Sequence, residues 1–494
     1  MTASSEGPRH LSREPSELEK QDMTHVETPT EEEDATDPVE AKKVLRKVDW
    51  RVIPLLQFLY MLTFLDRVNI GNARLWNMER DLNMSGYDYN VVVLIFYVPY
   101  IILELPSNYF FNRIEPRKFM GVIVMGWGLT VTFAGFSKSY AGLVVARVFI
   151  GIFEAGMFPG CMYLISGWYR RHELLTRMAF FFVANDIAGT ISGLLGAGLG
   201  SLDGAHGYSG WRWIFFIEGA MTCIAAVLAW FFVPPFPEDS TFLTPAEKKW
   251  LLRRLKTDNN GMSHEKMTVG KIADALKDWK VLTSGVLYLA VCTTAYAISV
   301  FQPTILRTFG WDEMKSNLLS APPRLASGIV SVLIGIWSDQ IQHRGAFCLG
   351  GFFFSILGLF LIAFLKGSLR YMGIYFAAIG IYIVQPLCIA WCANQVTSSS
   401  KRGTITAFAG TLGQFGGIIS ALVFPSKDGP QYLPGIMTCV AFQIAGIVAA
   451  VNLWACCSYE NKQREAGKRD YLRELPQEEQ DQLGEKHPDF RYTL

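Results

Sequence analysis

Long apolar stretches dominate this chain and restrict it to folds that a lipid bilayer can hold. Only 18% of its 494 residues are charged, whereas a soluble protein carries about a quarter. Roughly 20 predominantly apolar residues cross a bilayer as a helix, and about a dozen stretches reach that length. The predicted spans are Val52–Ala73, Val91–Phe111, Phe119–Phe136, Ala141–Ser166, Met178–Leu199, Trp211–Val233, Val281–Leu306, Leu318–Trp337, Ala346–Leu365, Leu369–Ala393, Thr404–Phe424 and Leu433–Cys456. The pattern predicts an all-α membrane protein with twelve transmembrane helices.

The predicted spans form two groups of six on either side of a polar block. This is the layout of a duplicated transporter, which binds its substrate near the middle of the membrane, between the halves. The predicted segments are a disordered cytoplasmic N-terminal tail (1–50), a first six-helix half (51–234), a cytoplasmic central loop with an amphipathic helix (235–280), a second six-helix half (281–457) and a cytoplasmic C-terminal tail (458–494).

The tails and the central block set the predicted orientation. The N-terminal tail is acidic and poor in apolar residues, which predicts disorder. It becomes basic directly before the first span, from Lys42 to Arg51, and this favours a cytoplasmic N-terminus. An even number of spans returns the C-terminus to the same side. In the central block, Thr244 precedes Pro245 with Glu247 three residues on, which predicts a helix start with a capping box.

Four ionisable residues inside two predicted spans are the first functional candidates. Asp66 and Arg67 lie in the first span, and Arg147 and Glu154 lie in the fourth. A charge at the bilayer centre costs at least ~2.5 kcal/mol, so such residues usually face protein or water. Arg147 and Glu154 are close to two helical turns apart, so both project from one face of their helix.

Several motifs spread over most of the chain carry a family resemblance. They are Leu65-Asp66-Arg67-Val68-Asn69-Ile70-Gly71-Asn72-Ala73, Ala146-Arg147 through Gly151, Glu154-Ala155-Gly156, Pro159-Gly160, Trp168-Tyr169-Arg170-Arg171-His172-Glu173, Gly210-Trp211-Arg212-Trp213-Ile214-Phe215, Phe236-Pro237-Glu238, Trp391 with Asn394, and Lys401-Arg402. In these motifs and in its layout the chain resembles the major facilitator superfamily. Within that superfamily it looks like the anion:cation symporter family, and most like the fungal allantoate permease branch, which includes carriers of nicotinate, pantothenate and biotin.

The resemblance places the first and fourth spans along a central cavity, which would bring the four charges around one space. Arginine binds a carboxylate through two parallel hydrogen bonds, so Arg67 and Arg147 are predicted to bind the substrate anion. Buried acids can change charge, so Asp66 and Glu154 are predicted to couple the proton. Protonating an acid frees an arginine, and proton and anion then bind better together than apart. Structural roles stay open: Asp66 could neutralise Arg67 or another arginine and lock the fold, and Arg147 could brace the fourth span against the first.

Further candidates for substrate contact are polar or aromatic residues of other spans. Asn394, with Gln395 and Gln302, could donate hydrogen bonds from the second half, although polar contact between helices accounts for them equally well. Tyr97, Tyr296 and Trp391 could stack on a ring-bearing anion, with packing as the alternative.

Five charged residues are candidates for gating. Asp186 in the fifth span and Arg324 in the eighth would face each other across the halves, so we predict an inter-half ion pair that breaks during transport; alternatively, Arg324 faces the cavity. Glu104 is assigned to gating or packing in the second span. Arg113 and Asp339 belong to connectors that recur at matching places in the two halves. Glycines from Gly189 to Gly200 are predicted to let the fifth span slide at the boundary between the halves.

Together these features predict a proton-coupled carrier that takes up a small organic anion by alternating access. A proton-driven exporter of a carboxylated metabolite and a substrate-binding nutrient sensor are the alternatives. No nucleophile–base pair, nucleotide loop, metal cluster or cofactor motif is found, so no enzyme, metal or cofactor is predicted. The net charge of +1 gives no case for nucleic-acid binding. We expect a monomer in the lipid bilayer of a fungal plasma membrane, with both termini cytoplasmic.

Overall fold

The computed structural model describes residues 38–111, 113–260, 277–341, 343–396, 399–474, 485 and 487–493, and the regular structure of these residues is helical. The helices are α1 (Pro38–Ala73), α2 (Asp88–Phe111), α3 (Pro116–Ala134), α4 (Tyr140–Glu154), α5 (Met157–Trp168), α6 (Arg171–Gly200), α7 (Gly210–Phe232), α8 (Pro245–Asn260), α9 (Trp279–Arg307), α10 (Glu313–Leu318), α11 (Ala321–Ile341), α12 (Arg344–Phe364), α13 (Ser368–Asn394), α14 (Ser399–Val423) and α15 (Leu433–Glu465). Short helical turns lie at Arg74–Met78, Glu79–Asp81, Ala205–Gly207, Pro237–Asp239, Ser426–Asp428 and Asp470–Glu474.

Ten of the helical segments in the described part of the chain are long and apolar enough to cross a membrane. Helices α2 and α3, with 24 and 19 residues, lie where the second and third spans are predicted but are not among these ten. The fourth predicted span is formed by α4 and α5, which follow each other after a break at Ala155-Gly156. The structure therefore confirms an all-helical membrane fold, and the total of twelve spans stays a prediction.

The ends of the first and last long helices differ from the predicted segment boundaries. Helix α1 begins at Pro38, so residues 38–50 are helical and the predicted disorder is wrong for them. Alanine, leucine, lysine and arginine are good helix formers, and 41–47 consists mainly of such residues. Helix α15 runs on to Glu465, past the predicted boundary at 457, because 458–465 contains no glycine or proline to end it. The rest of the predicted N-terminal tail, 1–37, lies outside the described residues.

Small residues let neighbouring helices of one half pack closely. Helix α3 packs on α7, and α12 packs on α13. A Cβ added at Gly219 of α7 would lie 2.5 Å from the backbone nitrogen of Thr132, and one at Gly373 would lie 2.8 Å from the carbonyl oxygen of Gly358. These backbones touch, which is the usual way of joining helices where the lipid supplies no hydrophobic driving force.

The bundle has two ends, which we name by their loops. The tail end holds the start of α9 and the end of α15, and the far end holds the connectors 74–87, 201–209, 308–312 and 424–432. At the far end, Gly71 of α1 lies directly against the carbonyl of Val300 in α9. The Asn90 amide donates to the carbonyl of Ala421, and the rings of Tyr89 and Phe301 are 5.9 Å apart. These contacts join the first half to the second.

Helix α6 forms a large part of this boundary, where it packs on α10 and α11. A Cβ at Gly189 would lie 2.9 Å from Arg324 Nε, and one at Gly193 would lie 2.7 Å from the carbonyl oxygen of Asn317. The prediction that glycines bring this helix against the second half is confirmed for these two positions.

The central helix α8 begins at the predicted capping box. Thr244 N donates to Glu247 Oε2 at 2.7 Å, and Glu247 N donates to Thr244 Oγ1 at 3.3 Å. Its residue Arg254 forms an ion pair with Glu173 at the start of α6, and Arg170 Nε donates to the Arg254 carbonyl at 3.0 Å. The connector between the halves is thereby attached to the tail end of the first half.

Residues 485 and 487–493 lie against the tail end of the second half. The Thr493 carbonyl accepts hydrogen bonds from Trp391 Nε1 at 2.9 Å and from Gln395 Nε2 at 2.7 Å. Arg464 Nη1 donates to the Phe490 carbonyl at 2.6 Å. These bonds connect the C-terminal segment to helices α13 and α15.

Candidate substrate site

A small pocket lies where the two halves meet. It is bounded by α1, α2 and α4 of the first half and by α9 of the second. The lining residues are Arg67, Ile70, Val93, Phe96, Tyr97, Arg147 and Val300. Two guanidinium groups in so small a space make it suited to a carboxylate, which arginine binds through paired hydrogen bonds.

Arg67 is held by Glu154 of the neighbouring helix α4. Its Nε donates to Glu154 Oε1 at 2.6 Å, and its Nη2 forms an ion pair with the same oxygen. The rings of Phe64, Phe96 and Tyr100 surround the guanidinium carbon at 5.3, 5.1 and 4.7 Å. Aromatic faces attract a cation, so the carboxylate and these rings together fix the position of Arg67.

Arg147 is buried, with 2% of its surface exposed, and its Nε and Nη2 have no hydrogen-bond partner. The ring of Phe215 lies 6.0 Å from its guanidinium carbon. A buried charged donor without a partner is costly, and this one lines the pocket. Arg147 therefore has two charged donors that are available to an anion in the pocket.

Asp66 does not pair with Arg67 but interacts with α4 and α7. Successive residues of a helix point about 100° apart, which turns Asp66 and Arg67 away from each other. Asp66 interacts electrostatically with Arg147 and with the Glu218 carboxyl on α7, while its Oδ2 has no hydrogen-bond partner. The structure thus brings all four predicted charges together, but with Arg67 on Glu154 and Asp66 beside Arg147.

Glu218 is a fifth member of this group that sequence reasoning missed. It is 1% exposed, and the amide of Asn69 donates to its Oε1. The signal was available: a carboxylate inside the sixth predicted span meets the same criterion that selects Asp66. The rest of this predicted span is mostly apolar, and no local feature of the sequence indicates that Glu218 contacts the first span.

The aromatic candidates separate into two places. Tyr97 of α2 and Tyr296 of α9 face each other across the halves at 5.4 Å, and the Tyr296 hydroxyl donates to Gln414 Oε1 at 3.0 Å. Trp391 and Asn394 lie instead near the tail end of α13, where Trp391 is bonded to the C-terminal segment. They do not line the pocket, because the end of α13 is many turns from the level of Arg67.

The neutral polar candidates take part in contacts within the second half. Gln302 Nε2 donates to the Ser320 carbonyl at 3.1 Å, and Gln395 bonds the C-terminal segment as described above. For these two residues the structure fits the alternative of polar contact between helices.

The gating candidates are distributed along the molecule. Asp186 and Arg324 face each other where α6 packs on α11, and they interact electrostatically, but the direct ion pair is not formed in this structure. Arg324 Nη2 instead donates to Ser299 Oγ, and its guanidinium carbon lies 4.3 Å from the centre of the Tyr382 ring. The Arg324 charge is therefore satisfied within its own half.

The remaining gating candidates lie closer to the tail end. Glu104 lies on α2, on the tail-end side of Arg67, and interacts electrostatically with Arg67. Its Oε2 has no hydrogen-bond partner. Arg113 is exposed in the turn between α2 and α3. The side chain of Asp339, on α11, lies outside the described residues.

The arrangement can exchange one anion for another. An anion in the pocket would have the unpartnered donors of Arg147 within reach and would compete with Glu154 for Arg67. A neutral, protonated Glu154 would hold Arg67 less strongly, so this arrangement is able to link anion binding to proton binding without any covalent step.

Comparison with solved structures agrees with this fold. A bacterial homologue of the human lysosomal transporter Spinster, in an inward-facing and unoccupied conformation, superimposes with a TM-score of 0.63. The match covers 82% of this chain and 95% of that one, at 17% sequence identity. At this identity the likeness concerns the fold.

Two fungal relatives match nearly the whole chain. The MFS-type transporter cnsO of Penicillium expansum is 33% identical over 92% of this chain and 90% of its own. The high-affinity nicotinic acid transporter of Saccharomyces cerevisiae is 30% identical over 91% of this chain and 84% of its own. The family model of the Major Facilitator Superfamily matches residues 56–421. The chain is a transporter and not an enzyme, and it belongs to the Major Facilitator Superfamily.

Proposed function

We propose that this transporter takes up a small organic carboxylate together with protons. The observation that carries the proposal is Arg147: a buried guanidinium that lines a pocket between the halves with two of its nitrogens unpartnered. A carboxylate supplies the two acceptors that such a fork lacks. Arg67, in the same pocket, is the second anion contact.

Glu154 is the proton-coupling acid of this proposal. It is 1% exposed and forms the ion pair with Arg67, while its Oε2 has no partner. Protonation removes its charge, frees Arg67 for the substrate and so makes the two binding events favour each other. Deprotonation re-forms the ion pair and helps to expel the anion.

The substrate is expected to be small and to carry a ring. The pocket is small and is lined by seven residues. Phe96 and Tyr97 line it, and Tyr296 stands opposite Tyr97. The relative named as a nicotinic acid transporter supports a compact aromatic carboxylate. We further propose that the chain belongs to the anion:cation symporter family, in the allantoate permease branch.

Alternating access requires the contacts at the far end to open. Gly71 against Val300 and Asn90 on Ala421 join the halves there, and their separation would open a path from the pocket. We further propose twelve spans, a monomeric carrier in the plasma membrane and a cytoplasmic tail end. The basic residues of the central helix α8, among them Arg253 and Arg254, support this orientation.

Uptake of labelled monocarboxylates by carrier-deficient cells tests the proposal. The panel includes nicotinate, pantothenate, biotin and allantoate, each at an acidic and at a neutral external pH. We expect accumulation of at least one acid, greater at acidic pH and abolished by a protonophore. Cells expressing Arg147→Ala serve as the control for non-specific entry. Equal entry of every acid into both cell lines would refute the proposal.

A further inference from the structure

A second acid–acid contact, apart from the pair Arg67–Glu154, lies behind the pocket. Asp66 of α1 and Glu218 of α7 are 4% and 1% exposed, and Asn69, which lies one helical turn after Asp66, donates a hydrogen bond to Glu218 Oε1. The two carboxyl groups interact electrostatically. Two neighbouring carboxylates out of water repel strongly, so such a pair favours holding a proton between its members. The resemblance to known carriers gave no role to Glu218.

A network of amides and a hydroxyl fixes the orientation of Glu218. The Asn69 oxygen accepts hydrogen bonds from Asn72 Nδ2 at 2.8 Å and from Ser192 Oγ at 2.7 Å. The Asn69 side chain must therefore turn its NH₂ group toward Glu218, to whose Oε1 it donates. One oxygen of Glu218 is thus occupied as an acceptor, and its carboxyl group is held against Asp66 by three helices, α1, α6 and α7.

The charges around the pair also require a proton. Five buried groups face one another here: two arginines carry +2, and three carboxyl groups carry −3 when all are ionised, which leaves a net −1. One bound proton brings the group to neutrality, which is what a site remote from water favours. The remaining ionisable neighbours are the tyrosines Tyr89 and Tyr97 of α2, both neutral at ordinary pH.

Arg147 is the cation that ionised Asp66 would pair with after this proton leaves. Asp66 Oδ2 and two Arg147 nitrogens lack hydrogen-bond partners, although the two side chains interact electrostatically. The unpartnered guanidinium is an observation independent of the acid pair, and it points to an anion. That anion is either the substrate or Asp66 itself.

We propose that Asp66 and Glu218 form a proton-binding site that holds one exchangeable proton and controls Arg147. With the proton bound, Arg147 is open to the substrate carboxylate. When the proton leaves to solvent, ionised Asp66 turns to Arg147 and competes with the substrate. The inference rests on the proposed function and extends it: each arginine of the pocket has its own acid switch, Glu154 for Arg67 and the carboxyl pair for Arg147.

Infrared spectroscopy of the full-length protein in lipid nanodiscs tests the pair without any substrate. A carboxylic acid has a C=O stretch that an ionised carboxylate lacks and that shifts in heavy water. We expect this band in the unmodified protein at neutral pH and a weaker band in Glu218→Gln, because the remaining charges of the group then balance without a proton. Asp66→Asn balances the charges in the same way and provides the same test if Glu218→Gln does not fold. Glu313→Gln removes a partly exposed acid of α10 that pairs with Arg307; it is the control and should keep the band.

A transport measurement connects the proton site to its function. In proteoliposomes, the half-saturation concentration for labelled nicotinate is expected to rise from acidic to neutral pH in the unmodified protein and to change less in Glu218→Gln. A band that keeps its full intensity in both variants would overturn the pair, whatever is transported. If the band changes in Glu218→Gln as expected but no carboxylate of the panel is transported, the proposed function is wrong and the proton site is still supported.

Discussion

The two halves of the transporter treat buried charge in different ways. The first half concentrates five ionisable groups around one end of the pocket and leaves Arg147, Asp66 and Glu154 each with an unpartnered polar atom. The second half presents Tyr296 to the pocket region and satisfies its buried cation Arg324 with Ser299 and Tyr382. Unsatisfied charge is costly unless a ligand completes it. On the proposed function, the first half would bind the anion and the proton, and the second half would supply a neutral wall of the pocket.

The same contrast separates fixed from exchangeable contacts. The ion pair Arg67–Glu154 and the carboxyl pair Asp66–Glu218 can each be altered by one proton. The hydroxyl and ring that hold Arg324 do not titrate in the accessible pH range. Substitutions in the two halves should therefore differ in kind: those in the first half should change coupling, and those in the second should change the rate of movement.

The largest effect is expected for Arg147. Removing one side of a buried, hydrogen-bonded charge contact costs about 2–5 kcal/mol, so Arg147→Ala should weaken anion binding by at least ~20-fold. Arg147→Lys keeps the charge but loses the fork and should restore only part of the affinity. The measurement is nicotinate binding to purified protein. Arg324→Lys is the matched change in the second half, and an equal loss there would break the comparison.

Glu154→Gln should separate exchange from accumulation. The amide leaves Arg67 unpaired whatever the pH, so the substrate can bind, but no proton accompanies it through this residue. We expect exchange of labelled for unlabelled substrate in proteoliposomes to continue and concentrative uptake driven by a pH gradient to be lost. Accumulation at the unmodified level in Glu154→Gln would show that another acid carries the coupled proton.

Asp186 and Arg324 test the role of the boundary between the halves. If they form an ion pair in another state of the cycle, Asp186→Asn and Arg324→Gln should each slow exchange several-fold, and the swap Asp186→Arg with Arg324→Asp should recover part of the rate. Double-mutant coupling between close charges reaches about 1.5–7 kcal/mol. Exchange rates at equal binding affinity are the readout. A swap that is no faster than either single variant would count against the pair and favour Arg324 as an anion contact.

The smallest effect is expected at the tail end of the second half, where Lys401 contacts Glu485 at 2.6 Å. Burial alone would raise the pKa of Glu485, but the Lys401 hydrogen bond and charge outweigh it and leave that pKa below its usual value. The pair therefore contributes its stability above the unfolded-state pKa of about 4.3, and loses it as pH falls through the lower folded-state pKa. Glu485→Gln should lower the melting temperature slightly at neutral pH and have less effect at strongly acidic pH. The exposed pair Arg473–Asp489 is the control, and Asp489→Asn should change melting less at either pH.

Much of the fold follows from local patterns. Apolar runs bounded by charges locate the long helices to within a few residues, as for Leu433 at the start of α15 and Gly210 at the start of α7. The capping box at Thr244 and the glycines that face the second half are equally local, because a cap or a close approach depends on a few neighbouring residues. Predictions failed where a helix continued through polar residues, at 38–50 and at 458–465, since hydropathy marks the membrane and not the end of a helix.

The candidate site was also predicted only in its local features. The sequence by itself determined that four charged side chains lie inside apolar spans and must avoid lipid, because a charge in hydrocarbon is costly unless protein or water surrounds it. It also determined that Arg147 and Glu154 share a face of their helix. The tertiary structure decided the partners: Arg67 with Glu154, Asp66 with Glu218, and Trp391 with the C-terminal segment. Helix rotation and packing set which side chains meet, and these depend on contacts between residues 87, 152 and 102 positions apart in the chain. Hydropathy is read one segment at a time, so it locates the charges but does not say which of them is left without a partner.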